Sequence, residues 1–153
     1  PAFYLPALLA SENDIKSFSM TGQRRNLNRE KFKLDNLLSV LSNSESNANK
    51  NLKCLTNAMD VRAKLKQFHP CSEMKCLSKG RSDIVVIKRG KGPKSVFAIH
   101  NMTENKIDYQ LNDIDLPEII DNDLNMHDFL SSTKYNWKNI SLDPFQVVWI
   151  SAL

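Results

Sequence analysis

The sequence predicts an α+β protein with helices first and an antiparallel β-module second. Three observations carry this. Leu34, Leu37, Leu38 and Leu41 fall at i, i+3, i+4 and i+7, the spacing of one helix face. After His69-Pro70 the hydrophobic period changes from helical to short runs of two to four residues. Turn-formers then separate those runs, with no helical pattern between them, as in a sandwich or partial barrel. Helices followed by strands is the order of two packed modules, and the boundary is placed near Pro70–Ser82.

Taken in order, Phe3-Tyr4-Leu5 through Leu8-Leu9 is a nearly continuous apolar segment. Such runs belong to strands buried on both faces, typically in parallel sheets. A parallel strand needs partners reached by crossovers of a dozen or more residues, and no such unit is legible. The chain therefore reads as a fragment that opens within a strand. The leucine-striped helix follows, and Ser42–Asn51 breaks it, offering Ser44 or Ser46 as the N-cap of a second helix. That helix is expected from about Asn47 to Gln67. Leu52, Leu55, Met59, Cys54, Ala58, Val61 and Leu65 form a wide buried face, with Lys50, Lys53, Asp60, Lys64 and Lys66 on a solvated one. The residue before Pro70 leaves the helical region and ends it. Beyond it, Ile84–Ile87, Val96–Ile99, Ile107/Tyr109/Leu111, Phe129-Leu130 and Val147–Ile150 are the expected strands.

Composition narrows the function classes. The chain has 153 residues and a formal charge of +4, with both signs mixed along it. Its one compact basic cluster, Lys88–Lys94, contains Gly90, Gly92 and Pro93 and reads as a hairpin tip, not a phosphate-tracking stripe. No nucleic-acid partner is expected. No apolar run approaches the roughly 20 residues of a spanning helix, so no membrane partner is expected either. Three cysteines, Cys54, Cys71 and Cys76, argue for free thiols and a cytoplasmic setting in preference to a disulfide framework. In that setting the sequons at Asn101 and Asn139 carry no weight.

The densest polar stretch is Thr21–Phe32, with three arginines and three side-chain amides in twelve residues. It lies between the apolar run and the leucine helix, where a site rim is expected. Arginine offers five donors in a fixed fork suited to carboxylates, phosphates and sugar hydroxyls. Other clusters carry less. His69, Cys71 and Cys76 lack the fourth ligand of a structural zinc site. Asp113, Asp115, Asp121 and Asp123 lack the Asp-x-Asp-x-Asp-Gly ladder of a calcium loop. Trp149 alternates with apolar neighbours and is expected in the core, whereas Trp137 lies in a polar stretch and is the candidate for packing on carbohydrate or a partner domain.

Several of these pieces together resemble one family. Pro1-Ala2-Phe3-Tyr4-Leu5, Leu8-Leu9 and Glu12-Asn13-Asp14 are similar to the eighth barrel strand and exit loop of sucrose phosphorylases, in glycoside hydrolase family 13, the alpha-amylase family. Ser11 stands where their exit loop has glycine. Thr21-Gly22, Arg25-x-Leu27-Asn28-Arg29 and Phe32 resemble their loop between strand and helix eight. Leu142-x-Pro144-Phe145-Gln146-Val147-x-Trp149-Ile150 resembles the closing strand of their β-domain, and Val96–Asn101 another strand ending in His-Asn.

The resemblance implies that residues 1–72 end a catalytic (β/α)8 barrel (strand eight, substrate loop, helices) and that 82–153 form a C-terminal antiparallel β-sandwich. It implies a retaining glucosyl transfer in which a carboxylate attacks the anomeric carbon and phosphate then accepts the sugar. The partners are a glucoside, of the sucrose, glucosylglycerate or glucosylglycerol type, inorganic phosphate as co-substrate, and the upstream barrel. No cofactor or metal is implied. The family's catalytic carboxylates precede this chain, so none of its residues is assigned a catalytic role. By the same resemblance Arg29 reaches the glucose subsite and pairs with an upstream aspartate. Arg25 occupies a second matching position and supports the loop, with substrate contact the weaker reading. Asn13 and Asp14 shape the turn. Two other functions fit the residues: a hydrolase of the same family, and a non-catalytic β-module that binds carbohydrate or docks a domain.

Overall fold

The computed structural model describes residues 2–78, 80–111 and 125–152. They divide into two compact units, Pro1–Asp60 and Val61–Leu153. The division falls inside a helix, ahead of the 72–82 connection expected from the sequence.

The first unit is helical. Where the sequence predicts a buried strand, residues Leu5–Leu8 instead form a single helical turn, α1, with Pro6 in its first turn. Among the described residues this segment has no strand partner. Its backbone is satisfied locally, with Leu8 N donating to Tyr4 O and Leu9 N to Leu5 O, both at 3.0 Å. A proline near the start of a helix costs little, because its missing N–H is one of the orphans there. Phe3, Tyr4 and Leu5 stay exposed, and only Leu9 is buried.

Helix α2 spans Ile15–Thr21, α3 spans Leu34–Ser42 and α4 spans Asn47–Lys64. The leucine stripe does form α3, yet Leu34 and Leu38 are exposed and Leu37 and Leu41 only half-buried. Ser46 caps α4 as expected: Asn49 N donates to its Oγ at 3.1 Å, and the same hydroxyl donates back to Val40 O at 2.7 Å. That pair of bonds holds the α3–α4 corner. The amide of Asn51 donates to Ala7 O and Leu8 O at 3.0 and 2.9 Å, fastening α1 to α4. The apolar side of α4 is half-buried, not fully buried, and Cys54, expected within it, is exposed, while Lys50, Lys53, Asp60 and Lys64 are solvated. Helix α4 ends before the expected Gln67; a 3-10 turn, Lys66–Phe68, follows it.

The second unit is the antiparallel β-domain. Its strands are β1 (Met74–Cys76), β2 (Ile84–Arg89), β3 (Val96–Asn101), β4 (Ile107–Tyr109), β5 (Asn125–Asp128), β6 (Lys134–Asn136), β7 (Ile140–Leu142) and β8 (Val147–Ser151). Six make one sheet in the order β1-β2-β3-β8-β5-β6, and β4 pairs with β7 in a second. In register, Val86 faces Ile99 and Ile99 faces Val148. One side of β2, β3 and β8 therefore presents Ile84, Val86, Phe97, Ile99, Val148 and Ile150 to the core. Tyr109, Ile140 and Leu142 close it from the smaller sheet. Each fully buried aliphatic or aromatic side chain here is worth roughly 1.5–3 kcal/mol of transfer free energy.

Strands β2, β3, β4 and β8 lie where the sequence places them. The strand expected at Phe129-Leu130 sits just before, at β5, and 129–130 form the turn. Phe129 N still donates to Trp149 O at 2.9 Å, the last rung against β8. That turn is built on Asp128, a fully buried carboxylate. It accepts from Leu130 N (3.2 Å), Ser131 N (3.1 Å), Ser131 Oγ and, across the sheet, Trp149 N (2.7 Å). Buried charge is tolerable only when its lone pairs are filled in this way. Asn101 plays the same part at the other end of the sheet. Its amide donates to Asn105 O and Asp143 O while its carbonyl accepts from Thr103 N and Oγ1.

The two tryptophans exchange their expected places. Trp137 is buried in the core, whereas Trp149 is half-buried on the opposite face of the sheet, packed on Phe68 with ring centroids 4.6 Å apart. The period-2 rule explains it: Val148 and Ile150 point inward, so Trp149 points outward. No helix among the described residues is long and apolar enough to cross a membrane. The acidic loop with Asp113, Asp115, Asp121 and Asp123 lies outside the described residues.

Amide exchange tests this distribution of burial. Residues 2–15 should exchange fast, and Val96–Ile99 and Val147–Ile150 should be strongly protected. Equal protection of both segments would contradict the fold.

Candidate functional site

The polar stretch Thr21–Phe32 becomes a loop set by local bonds. Its entry is fixed at Asp14, the N-cap of α2: Ser17 N donates to its carboxylate at 2.9 Å, and Ser17 Oγ donates to the other oxygen. These two bonds hold the Asp14 carboxyl below the usual carboxylate range. Asp14 thus shapes the turn, as the sequence predicts. Asp14 N also donates to Leu27 O at 2.8 Å, drawing the far end of the loop back to the helix start.

Gly22 ends α2 in the left-handed region at φ 66°, with its N–H donating to Phe18 O. A side chain there would meet no neighbour, so its requirement for glycine is one of backbone conformation alone. Past it, Arg24–Asn26 make a 3-10 turn. The Asn26 amide donates to Thr21 Oγ1 at 2.6 Å, and that hydroxyl donates to Ser17 O at 2.7 Å. Arg25 Nε donates to Gln23 Oε1 at 2.9 Å. Arg25 is thus bonded within the loop through its Nε, while its terminal nitrogens have no hydrogen-bond partner among the described residues.

Arg25, Asn26, Arg29 and Lys31, with Ser17, Met20 and Thr21, line a cleft of about 350 Å³. Both arginines named from the sequence are thus brought to one concavity. Arg29 is exposed, and its guanidinium has no hydrogen-bond or ion-pair partner among the described residues. Lys31 is in the same condition and is not singled out by the sequence reading. A single lysine in a charged stretch carries no sequence signal of its own.

A larger cleft of about 430 Å³ lies beside Leu9, Phe32, Leu37 and Val40 and is mainly apolar. In the β-domain, His100 lies with Trp149, Phe68, Arg62 and Arg89 along a third, of about 370 Å³. Burial pushes the His100 imidazole below its ordinary pKa. Arg89 is occupied there, donating to Gln67 O and His69 O. His69 Nδ1 accepts from Cys71 N. Cys76 Sγ lies 3.6 Å from Ser78 Oγ, and the Ser78 backbone N–H, followed by that hydroxyl, lowers the thiol's pKa. Among the described residues no three His, Cys, Asp or Glu side chains converge as metal ligands. All three cysteines are exposed free thiols.

No protein-family model and no curated protein sequence matches the chain. Solved structures do. The fold is similar to that of a variant of AmyP in complex with maltotriose, with TM-score 0.55 and 17% identity over 72% of this chain and 22% of that one. It is similar to trehalose-6-phosphate hydrolase of Bacillus licheniformis, with TM-score 0.51 and 13% identity over 74% and 19%. It is also similar to the trehalulose synthase MutB of Pseudomonas mesoacidophila, with TM-score 0.54 and 9% identity over 74% and 19%. These are alpha-amylase-family enzymes. The fold is that of their C-terminal β-sandwich. At these identities the likeness is one of fold, and the chain spans about a fifth of each enzyme's length.

The Asp14 cap supplies a pH test. Its pKa is lowered in the folded chain, so its contribution is complete above the unfolded value of about 3.9 and is lost as pH falls through the folded one. Protection of the Ser17 and Phe18 amides should hold from neutral pH to about 4 and then drop. In Asp14→Ala it should be low at neutral pH and show no such step. An unchanged profile in that variant would remove Asp14 as the cap.

Proposed function

We propose that the chain is the C-terminal part of a retaining, glucosyl-transferring glycoside phosphorylase of the sucrose phosphorylase-like branch. Its substrates would be of the sucrose, glucosylglycerate or glucosylglycerol type, with inorganic phosphate as co-substrate. The observation that carries this reading is the Arg29 cleft. The residues that resemble the family's substrate loop are folded so that Arg25 and Arg29 share one concavity, with Arg29 unpaired and presented to it. The likeness to carbohydrate-active enzymes of the alpha-amylase family supports it at the level of fold.

In this reading the chain's own residues bind and orient; they do not react. Arg29 takes an upstream carboxylate as partner, and the pair presents both donors and acceptors to the sugar's far hydroxyls. A fixed guanidinium–carboxylate fork does this without flexing. Holding the glucosyl group lowers the entropy cost of reaching an oxocarbenium-like transition state. The exposed apolar side chains of the helical unit, Phe3, Tyr4, Leu5, Leu34 and Leu38, suit a surface that packs against further barrel elements. The β-domain supplies its own self-contained core.

Two measurements test the reading. The 153-residue chain alone should turn over no sucrose or glucosylglycerol above a no-protein control, since in this reading the reacting carboxylates belong to the upstream barrel strands. In the complete enzyme Arg29→Ala should lose roughly 2–4 kcal/mol of transition-state stabilisation. The same change should alter the stability of the chain by no more than about 0.5 kcal/mol, as at other surface positions. Arg29→Lys should restore little, because a point charge does not reproduce the planar fork. Arg25→Ala should cost clearly less. Equal losses for the two alanine variants, or a nearly wild-type Arg29→Lys, would remove Arg29 from the sugar subsite.

A further inference from the structure

The outer face of the six-stranded sheet carries a cleft that the proposed function does not use. Ile87 stands opposite Ala98 and Ala98 opposite Trp149, so the three form one row across β2, β3 and β8. They lie on the face away from the core, because their neighbours Val86, Ile99 and Val148 point into it. Ala98 is the small member between two large ones, and it forms the floor of the hollow of about 370 Å³. Phe68 makes one wall, packed on Trp149. Arg89 holds that wall in place. It donates to Gln67 O and His69 O, the carbonyls on either side of Phe68.

The polar groups around this apolar floor are mainly donors. Arg62 is exposed, and its side chain has no partner among the described residues. Trp149 Nε1 is buried and likewise has no acceptor among them. An unmatched buried N–H is costly, and an acceptor brought to it removes that cost. His100 stands one row along on the same face of β3, and burial pushes its imidazole below the ordinary pKa. It therefore offers one N–H at neutral pH. No Asp, Glu, Asn or Gln side chain lines the cleft among the described residues. A sugar, whose hydroxyls each donate as well as accept, is poorly matched to such a set. An anion is well matched, and the planar guanidinium fork of Arg62 suits a carboxylate. The floor of Ala98 and Ile87 with its aromatic wall requires that the anion carry an apolar body. The volume is at the small end of the range for small-molecule sites.

We propose that this cleft binds a small aromatic carboxylate, its ring seated on Ala98 beside Phe68 and its carboxylate accepting from Arg62 and from Trp149 Nε1–H. Arg89 is a positioning residue, acting through the turn that carries Phe68. The site lies wholly in the β-domain and is independent of the Arg29 cleft and of the glucosyl-transfer reading.

Titration of the 153-residue chain with benzoate, benzyl alcohol, acetate and maltose tests it, read by calorimetry and by the two tryptophan indole N–H resonances in nitrogen-15 spectra. Benzoate should bind at least about tenfold tighter than benzyl alcohol, which keeps the ring, or acetate, which keeps the charge. It should shift the Trp149 indole resonance and leave that of Trp137 in place; maltose should shift neither. Arg62→Gln, at an exposed position, should weaken benzoate by about tenfold or more. Ala98→Leu should fill the hollow and abolish binding, with a thermal melt to show that the variant folds. Should it not fold, Arg62→Gln decides. Lys134→Ala, on β6 at the far edge of the sheet, should leave binding unchanged. Absence of benzoate binding, equal binding of benzyl alcohol, an unmoved Trp149 resonance, or equal loss in the Arg62 and Lys134 variants would each overturn the proposal.

Discussion

Strand β3 is the constraint on which the β-domain depends. It lies between β2 and β8, so both its edges are paired, and five of its six residues are buried. A strand so placed fixes register on both sides at once, because a one-residue slip would turn Phe97 and Ile99 out of the core. The pairings Ile99 to Val86 and Ile99 to Val148 then set which side chains of β2 and β8 point inward. The polar fastenings sit at the ends of this block. Asn101 closes the β3 exit by collecting four hydrogen bonds, and Asp128 ties the β5 turn to the middle of β8. Each is a buried polar group whose capacity is filled, and such groups specify geometry more than they add net stability.

The helical unit is held differently. None of its helices has a fully buried residue among those described, and its shape comes from caps and side-chain to backbone bonds. Ser46 and Asn49 fix the α3–α4 corner; Asp14, Gly22 and Thr21 fix the loop that carries the arginines. A site rim built this way keeps its backbone placed while leaving its long side chains unspent. That division of labour explains how Arg25 is both a brace, through Nε, and a donor to the cleft.

Legibility in the sequence followed the strength of the periodic signal. Helices α3 and α4 are read correctly because their apolar residues recur at the helical period, and strands β2, β3 and β8 because they are short apolar runs bounded by turn-formers. Strands β1, β6 and β7 are three residues long and supply no period. The Ser-Thr-Lys-Tyr-Asn composition around β6 reads as a turn, yet Tyr135 and Met126 pair across it. Phe3–Leu9 shows the limit of composition: a continuous apolar run fits a buried strand, but a run without a ladder partner meets its own backbone needs as a helical turn. Trp149 could be placed only by knowing which side of β8 faces inward. At the candidate site, Arg25 and Arg29 are singled out in the sequence because their fork chemistry is specific. Lys31 was not, because a single lysine in a charged sequence carries no signal until a cleft gathers it with others.

The central claim is that Arg29 stands at the sugar. A crystal structure of the complete protein with a bound glucoside, at a resolution that places the guanidinium, tests it most directly. The account requires Arg29 within hydrogen-bond distance of the sugar's hydroxyls and of an upstream carboxylate, about 2.7–3.2 Å. A sugar bound with Arg29 directed to solvent, or a glucose subsite formed without residues 21–32, would contradict it.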